Sequence, residues 1–390
     1  MTSERSYDVV LLGATGFAGE LTAEYLAGAV PPGCRWALAG RNENKLADVR
    51  KRLSERNPAC ADLPLLHADS TDEAGLRKLA ESTRVLITTV GPYVQYGEPL
   101  VAACAAAGTD YVDLTGEPEF VDRMYLRHHE TAVRNGARIV HACGFDSIPY
   151  DLGVYHTVRQ LPAERPVTIT GQVRTNASFS GGTYASVLTA LSRPRQMADA
   201  AKQRRRVETR PENRRIHTPL GSPRRDHGSG MWLAPMPTLD PRIVARSAAA
   251  LPEYGPDFTY RQYAAVKRLP VLVGGIAGLG ALGLLAQIPP ARRALATVRA
   301  PGTGPAEQDR AKSWFSVRFT GEAGGQQVQT EFAGGDPGYD ETAKMLAESA
   351  LCLAFDDLPS TAGQVTAATA MGSALLERLR TAGLTIRTLP

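Results

Sequence analysis

The sequence predicts an α/β fold: a doubly wound parallel sheet with helices on both faces, followed by a second α+β domain built on a mixed sheet. Three observations predict it. The apolar run Tyr7-Asp8-Val9-Val10-Leu11-Leu12 ends in glycines at 13, 16 and 19 and leads into a helix with Leu21, Tyr25 and Leu26 at helical spacing. Short apolar runs then alternate with helical stretches as far as Ala142, the pattern of parallel strands joined by crossover helices. Beyond Asp151-Leu152-Gly153 the alternation stops, and runs separated by turn residues suggest paired strands. Strand, glycine turn and helix together make residues 1–150 a Rossmann dinucleotide-binding domain.

Each element follows from local chemistry. In the GxxGxxG turn, Gly13 allows the sharp turn, Gly16 lets backbone approach a pyrophosphate, and Gly19 lets the helix pack closely on the strand. Thr15 and Phe17 lie on the same turn, whose helix N-terminus offers free N–H groups to phosphate. Trp36 to Asn42 reads as the second strand and its loop. NAD sites place an acid here for the ribose 2′-OH, but this chain has Gly40-Arg41-Asn42 with Lys45 close behind. A guanidinium binds a 2′-phosphate where a carboxylate repels it, so the expected cofactor is NADP(H). Leu65 to Asp69 is the third strand, with Asp69 near the adenine. Val85 to Val90 is the fourth, ending in Gly91-Pro92-Tyr93; Tyr111 to Leu114 and Arg138 to Ala142 are the fifth and sixth, with helices at Pro99 to Ala107 and Phe120 to Asn135. Ligands bind beyond the carboxyl ends of such strands, so 89–93, 115–117 and 143–149 should face the cofactor cleft.

Composition narrows the class. A length of 390 residues suffices for two domains, each with its own core, and a net charge of +4 does not by itself imply nucleic acid. Five scattered cysteines with no CxxC pair, and no secretory signal pattern, predict a cytoplasmic protein without a disulfide framework. Seven histidines without HxxxH or HExxH spacing argue against zinc, and no metal site is expected. Cys143 is read as a small buried side chain in preference to a nucleophile, because no partner is visible.

Several motifs together resemble the saccharopine dehydrogenase-like oxidoreductases, most closely their bacterial trans-acting enoyl reductases. They are Gly13 to Gly19, Ala39-Gly40-Arg41, Val90 to Tyr93, Tyr111 to Glu117, Cys143-Gly144-Phe145-Asp146-Ser147-Ile148-Pro149, Ser180-Gly181-Gly182-Thr183, Pro301 to Pro305 and Gly335 to Tyr339. They run in the expected order over nearly the whole chain. One departure is Val365-Thr366-Ala367-Ala368, where that family carries a Thr-Pro step; losing the proline would loosen a helix start. The resemblance implies that residues 351–390 supply helices packing back on the Rossmann domain, leaving 151–350 as a substrate or oligomerisation domain.

Within that second domain, Val167 to Val173 is a strand. Trp314 to Thr320 and Gln327 to Phe332 pair across a turn at 321–326. Glu341 to Leu353 is a helix capped by Asp340, and Ala370 to Ala382 is another. Residues 193–225 carry 11 Lys or Arg against three acids and no aromatic residue. This argues against stacking on nucleic acid bases and leaves two readings: a solvated face, or a docking surface for an acidic acyl-carrier protein or coenzyme phosphates. Residues 269–288 are uncharged, long enough for a membrane span and rich in glycine. A membrane-dipping lip giving peripheral membrane contact, a lid over a lipid-like substrate, and a packed surface of a homodimer all stay open, the first two favoured over packing.

The resemblance implies NADPH-dependent reduction of a carbon–carbon double bond in an acyl thioester, serving a polyketide or lipid assembly line. Hydride goes to the β-carbon, so a donor must stabilise the thioester oxygen and an acid must protonate the α-carbon. Tyr93, Ser147 and Tyr184 are candidates by their expected strand-end or loop positions. Asp146 would orient a donor or the nicotinamide ribose, or else cap the following helix. Two rivals remain: an imine-forming amino-acid reductase of the saccharopine type, and a non-catalytic membrane- or lipid-associated nucleotide-binding protein. The first would need several convergent basic residues in the cleft. Here 11 of the 44 Lys and Arg sit in one run.

Overall fold

The computed structural model describes residues 5–177, 181–226, 228–298 and 304–390. Ser180 and the Pro301-Gly302-Thr303 step, both part of motifs named above, lie outside them.

The first sheet is built from β1 (Tyr7–Leu12), β2 (Trp36–Gly40), β3 (Leu65–His67), β4 (Thr83–Thr88), β5 (Asp110–Asp113) and β6 (Arg138–Val140). The second holds β7 (Val167–Thr175), β8 (Arg215–His217), β9 (Arg224–Arg225), β10 (Trp232–Pro235), β11 (Asp257–Val266), β12 (Phe315–Ala323) and β13 (Gln326–Gly334). The chain then returns to the first sheet as β14 (Gly363–Val365) and ends in the second as β15 (Thr385–Thr388).

The first sheet has order β14-β6-β5-β4-β1-β2-β3, and every neighbouring pair is parallel. Its strands are apolar without alternation because both faces are covered. Val9 and Leu11 point into one core with Leu26, Leu46 and Met345. Val10 and Leu12 point into the other with Leu76, Val101 and Phe120. The reversal of strand order between β1 and β4 opens a crevice at the carboxyl edge, where the glycine turn sits.

The first of these cores does not stop at the domain boundary. It continues through the helix Asp340–Phe355 and the almost wholly buried helix Ile148–Val158 into Phe258, Val317 and Phe319 of the second sheet. Among the described residues, the expected two separate cores are one core continuous across both sheets, a second on the far face of the first sheet, and two small clusters around Val121 and Leu233. Gly153 makes the crossing possible: a Cβ there would stand 2.3 Å from the Phe319 ring.

The second sheet runs β15-β13-β12-β7-β11-β10-β9, with β8 beside β11. It is mixed: β11 is parallel to β7 and β8, and the other pairs are antiparallel. The turn expected over 321–326 narrows to Gly324-Gly325, both at positive φ, as a two-residue hairpin demands. Gly321 is a strand residue, and its missing Cβ makes room for Ile169, Thr157 and Leu161.

Three helix starts differ from expectation. Asp340 lies inside the first turn of its helix; the capping carboxylate is Asp336, which accepts from the Tyr339 and Asp340 N–H groups at 2.8 and 3.3 Å. The helix expected over 370–382 is split into Ala367–Ala370 and Gly372–Thr381. Thr366 caps the first piece by accepting from Thr369 N–H, so the missing proline leaves a closed helix start.

Candidate functional site

A cleft of ≈ 520 Å³ opens at the carboxyl edge of the first sheet. Leu12, Gly13, Thr15 and Gly16 form its floor, Gly40, Arg41, Asn42 and Lys45 one wall, and Thr89, Val90 and Gly91 the other. Gly13 has φ +93, and a Cβ there would meet Thr89 and Val90 within 3 Å. A Cβ on Gly19 would stand 2.1 Å from the Gly13 carbonyl oxygen, so strand and helix touch there backbone to backbone. Gly16, by contrast, faces open space apart from the Gly13 carbonyl. It sits at the N-cap of the helix Phe17–Ala29 with no side chain bonded over that end, which leaves the N–H groups free for an anion.

This cradle fits NADP(H). Arg41 and Lys45 are exposed on the wall that follows β2, and among the described lining residues there is no carboxylate. Asn42 contributes mainly as a cap: its side-chain oxygen accepts from Lys45 N–H at 3.0 Å and starts the helix Glu43–Arg56.

Three other expected contacts are not among the lining residues of the cleft. Asp69 sits between the lining residues Ala68 and Ser70 but turns to accept from the Thr71 N–H and hydroxyl, which hold its carboxyl below the usual range. Phe17 packs edge-on against Tyr339, ring centroids 4.7 Å apart, with the Arg310 guanidinium over its ring. Pro92 follows the lining residue Gly91 and precedes the short helix Tyr93–Tyr96.

The candidate chemical groups gather at the ends of β5 and β6, beside the second domain. Tyr93 is buried. Its hydroxyl donates to the Thr88 carbonyl and accepts from Leu114 N–H, both at 3.1 Å, and burial holds its proton on well beyond the ordinary phenol range. Ser147 is buried and donates to Asp240 at 3.3 Å. Asp146 keeps part of its surface open and lies against Gly116; desolvation by the surrounding protein pushes its carboxyl up to about 6. It forms no cap: the next helix, Ile148–Val158, has Ser147 at its N-cap and no side-chain capping bond. Tyr184 stands apart, in a helix (Gly181–Ser192) where a loop was expected, and its hydroxyl donates to the Leu295 carbonyl at 3.2 Å.

Two acids missed from sequence complete the cluster. Glu117 accepts from the N–H groups of Tyr93 and Val94 at 3.1 and 2.9 Å and from the Ser186 hydroxyl at 3.3 Å; burial raises its pKa against those bonds. Asp240 accepts from Ser147, from Thr238 at 2.6 Å and from Gln262 at 2.7 Å, yet burial, with Asp146 nearby, pushes it up to about 7. Glu117 carried a signal, since it ends the Asp-Leu-Thr-Gly-Glu run. Asp240 carried none: it is 93 residues from Ser147 in the chain.

Elsewhere, Cys143 is buried and its thiol is pushed well up by desolvation, as suits a packed side chain. Among the described residues no group of three His, Cys, Asp or Glu is placed to hold a metal. The basic run is less free than its sequence suggests. Arg193 holds Glu119 in a bidentate pair at 2.7 Å. Arg204 is buried over the Tyr125 ring and bonded to Gln364, and Arg214 donates to the carbonyls of Ala248, Leu251 and Gly255. Arg195, Lys202, Arg205 and Arg206 remain exposed on or at the start of the helix Pro194–Val207.

Comparison with known proteins adds three findings. Residues 9–140 match the family model of the saccharopine dehydrogenase NADP binding domain. Two Mycobacterium tuberculosis proteins are similar over nearly the whole chain. One is 41% identical over 414 residues, covering 98% of each chain. The other, a trans-acting enoyl reductase, is 38% identical over 425 residues, covering 99% of this chain and 98% of its own. Saccharopine dehydrogenase (L-Glu forming) from Saccharomyces cerevisiae has a similar fold, with a TM-score of 0.58 at 12% identity over 98% of this chain and 100% of that one.

Proposed function

The chain belongs to the trans-acting enoyl reductases of the saccharopine dehydrogenase-like family and is an NADP(H)-dependent oxidoreductase; from that premise we propose that it reduces the α,β double bond of an acyl thioester presented by a separate carrier protein. The full-length similarity to a trans-acting enoyl reductase carries this reading. Bound NADPH supplies a hydride for the β-carbon. The protein's own tasks are to hold the dinucleotide, to stabilise negative charge on the thioester oxygen and to deliver a proton to the α-carbon.

Gly13, Thr15, Gly16, Arg41, Lys45 and Gly91 hold the dinucleotide in this reading, with Arg41 and Lys45 on the 2′-phosphate. Asp146 is the proton donor. It is the carboxyl of the cluster that keeps open surface, and a pKa near 6 leaves it partly protonated close to neutrality. Behind it, Ser147 donates to Asp240, whose charged form Asp146 disfavours. Glu117 and Tyr93 fix the loops around it, since both are fully engaged by internal bonds. The exposed cations Arg195, Lys202, Arg205 and Arg206 receive the acidic carrier protein.

The test is deuterium transfer from 4-labelled NADPH to α,β-unsaturated thioesters on pantetheine, coenzyme A and carrier protein, read by mass spectrometry. Label at the β-carbon, with faster transfer on carrier protein than on pantetheine, is the expected result. No label, with NADPH binding intact, would turn the assignment to imine substrates.

A further inference from the structure

The helix Leu269–Ala286 is long and apolar enough to cross a membrane, yet it contributes almost nothing to the core. Residues 273–281 are all exposed; Leu269, Val273, Ile276, Leu279 and Leu284 show between 42% and 74% of their surface. A patch of this kind marks a partner surface.

Three observations say which partner. First, the helix is docked at both ends. Leu272 and Ala286 are buried, and near the second of them Gly283 lies against Leu191, whose carbonyl accepts from the Gln287 amide. These anchors are about 21 Å apart along a helix. The helix therefore lies along the protein, beside β10 and the helix Gly181–Ser192, and does not stand out from it. Second, exposed cations close both ends: Lys267 and Arg268 before it, Arg292 and Arg293 in the following helix Pro289–Val298. Third, residues 258–306 contain no Asp or Glu. An apolar strip between cations, with no acid nearby, complements an anionic lipid surface. A second copy fits worse, because either parallel or antiparallel pairing brings these cations against their own kind.

We propose that Leu269–Ala286 and its basic flanks seat the protein on an anionic bilayer, with the helix lying in the plane of the interface. The helix Gly181–Ser192 lies between this surface and Glu117, which Ser186 contacts, so docking sets the candidate chemical centre beside the lipid. The proposal goes beyond the reduction chemistry and is read by partition, without turnover.

The experiment is co-sedimentation of the full chain with vesicles of phosphatidylcholine alone or mixed with phosphatidylglycerol. Wild type is expected to bind the mixed vesicles roughly tenfold or more tightly. K267A/R268A/R292A/R293A should lose that preference, and I276D/L279D should lose binding altogether, each with NADPH affinity intact. The tryptophans of V273W and L284W should be quenched alike by shallowly brominated lipid. Absence of wild-type binding, equal binding by I276D/L279D, or quenching at different depths would overturn the proposal. So would a wild-type dimer that binds no vesicles and that I276D/L279D turns into monomer, which would assign the strip to a second copy.

Discussion

Arg41 is the residue on which we propose that cofactor choice turns. It stands where an NAD site would carry an acid, on a wall whose other cation is Lys45. A charge-assisted contact of this kind is worth about 1.5–3 kcal/mol, so R41A should weaken NADPH binding roughly 10- to 100-fold and NADH binding less than about threefold. Equal losses in a fluorescence titration would remove Arg41 from the 2′-phosphate. Asp146 makes a second, separable claim. D146N should lower kcat/KM by roughly 10²–10⁴ with NADPH affinity unchanged. If the acid form of Asp146 is the proton donor, as proposed, kcat/KM of the wild type should fall as pH rises above about 6; a flat profile through neutrality would give the proton to another group. Tyr93 behaves differently. Y93F removes a hydroxyl that bridges Thr88 and Leu114, so it should cost about 1–3 kcal/mol of stability in thermal unfolding and spare most of the rate at which folded enzyme works.

Elements that repeat a local pattern were legible in the sequence. The six strands before residue 142 and the glycine turn could be read because burial on both faces leaves unbroken apolar runs, and because a sharp turn against a helix end needs small residues. G19A tests the turn: its Cβ would meet backbone, not a side chain that can move, so it should cost at least about 1–3 kcal/mol and impair NADPH binding. What the sequence hid was long-range. Nothing local in Gly363–Val365 says that it extends the first sheet beside β6. Nothing marks Asp336, four residues upstream, as the carboxylate that closes the helix Asp340–Phe355. Asp240 reaches Ser147 only through the fold, and Arg204 looked like one more surface cation until Tyr125 and Gln364 closed around it.

Taken as a whole, the molecule keeps a set of desolvated carboxyls where its two sheets meet, Asp151 and Asp240 buried and Asp146 partly open. Asp146 and Asp151 are pushed up to about 6 and Asp240 to about 7, each chiefly by desolvation. Groups raised above their unfolded values, about 3.9 for Asp, add stability that is complete below that pH and is lost as pH rises through the folded values. These three Asp therefore contribute a decline in stability between about pH 4 and 7, opposed by His128, His129 and His156, which burial lowers; D240N, whose neighbour Ser147 can turn its hydroxyl to accept, should gain stability at pH 7 relative to pH 4 by about 2 °C or more against the wild type. A D240N profile parallel to that of the wild type from pH 4 to 7 in scanning calorimetry would show that Asp240 contributes no such loss. The returning strands also bear on how the chain comes off the ribosome. One face of the first sheet is only partly covered until the helix Asp340–Phe355 has been made, and both sheets wait for an edge strand drawn from residues 363–388. The N-terminal third, though first to emerge, must wait out most of translation with apolar surface uncovered, and that interval is when a trigger-type chaperone would find it.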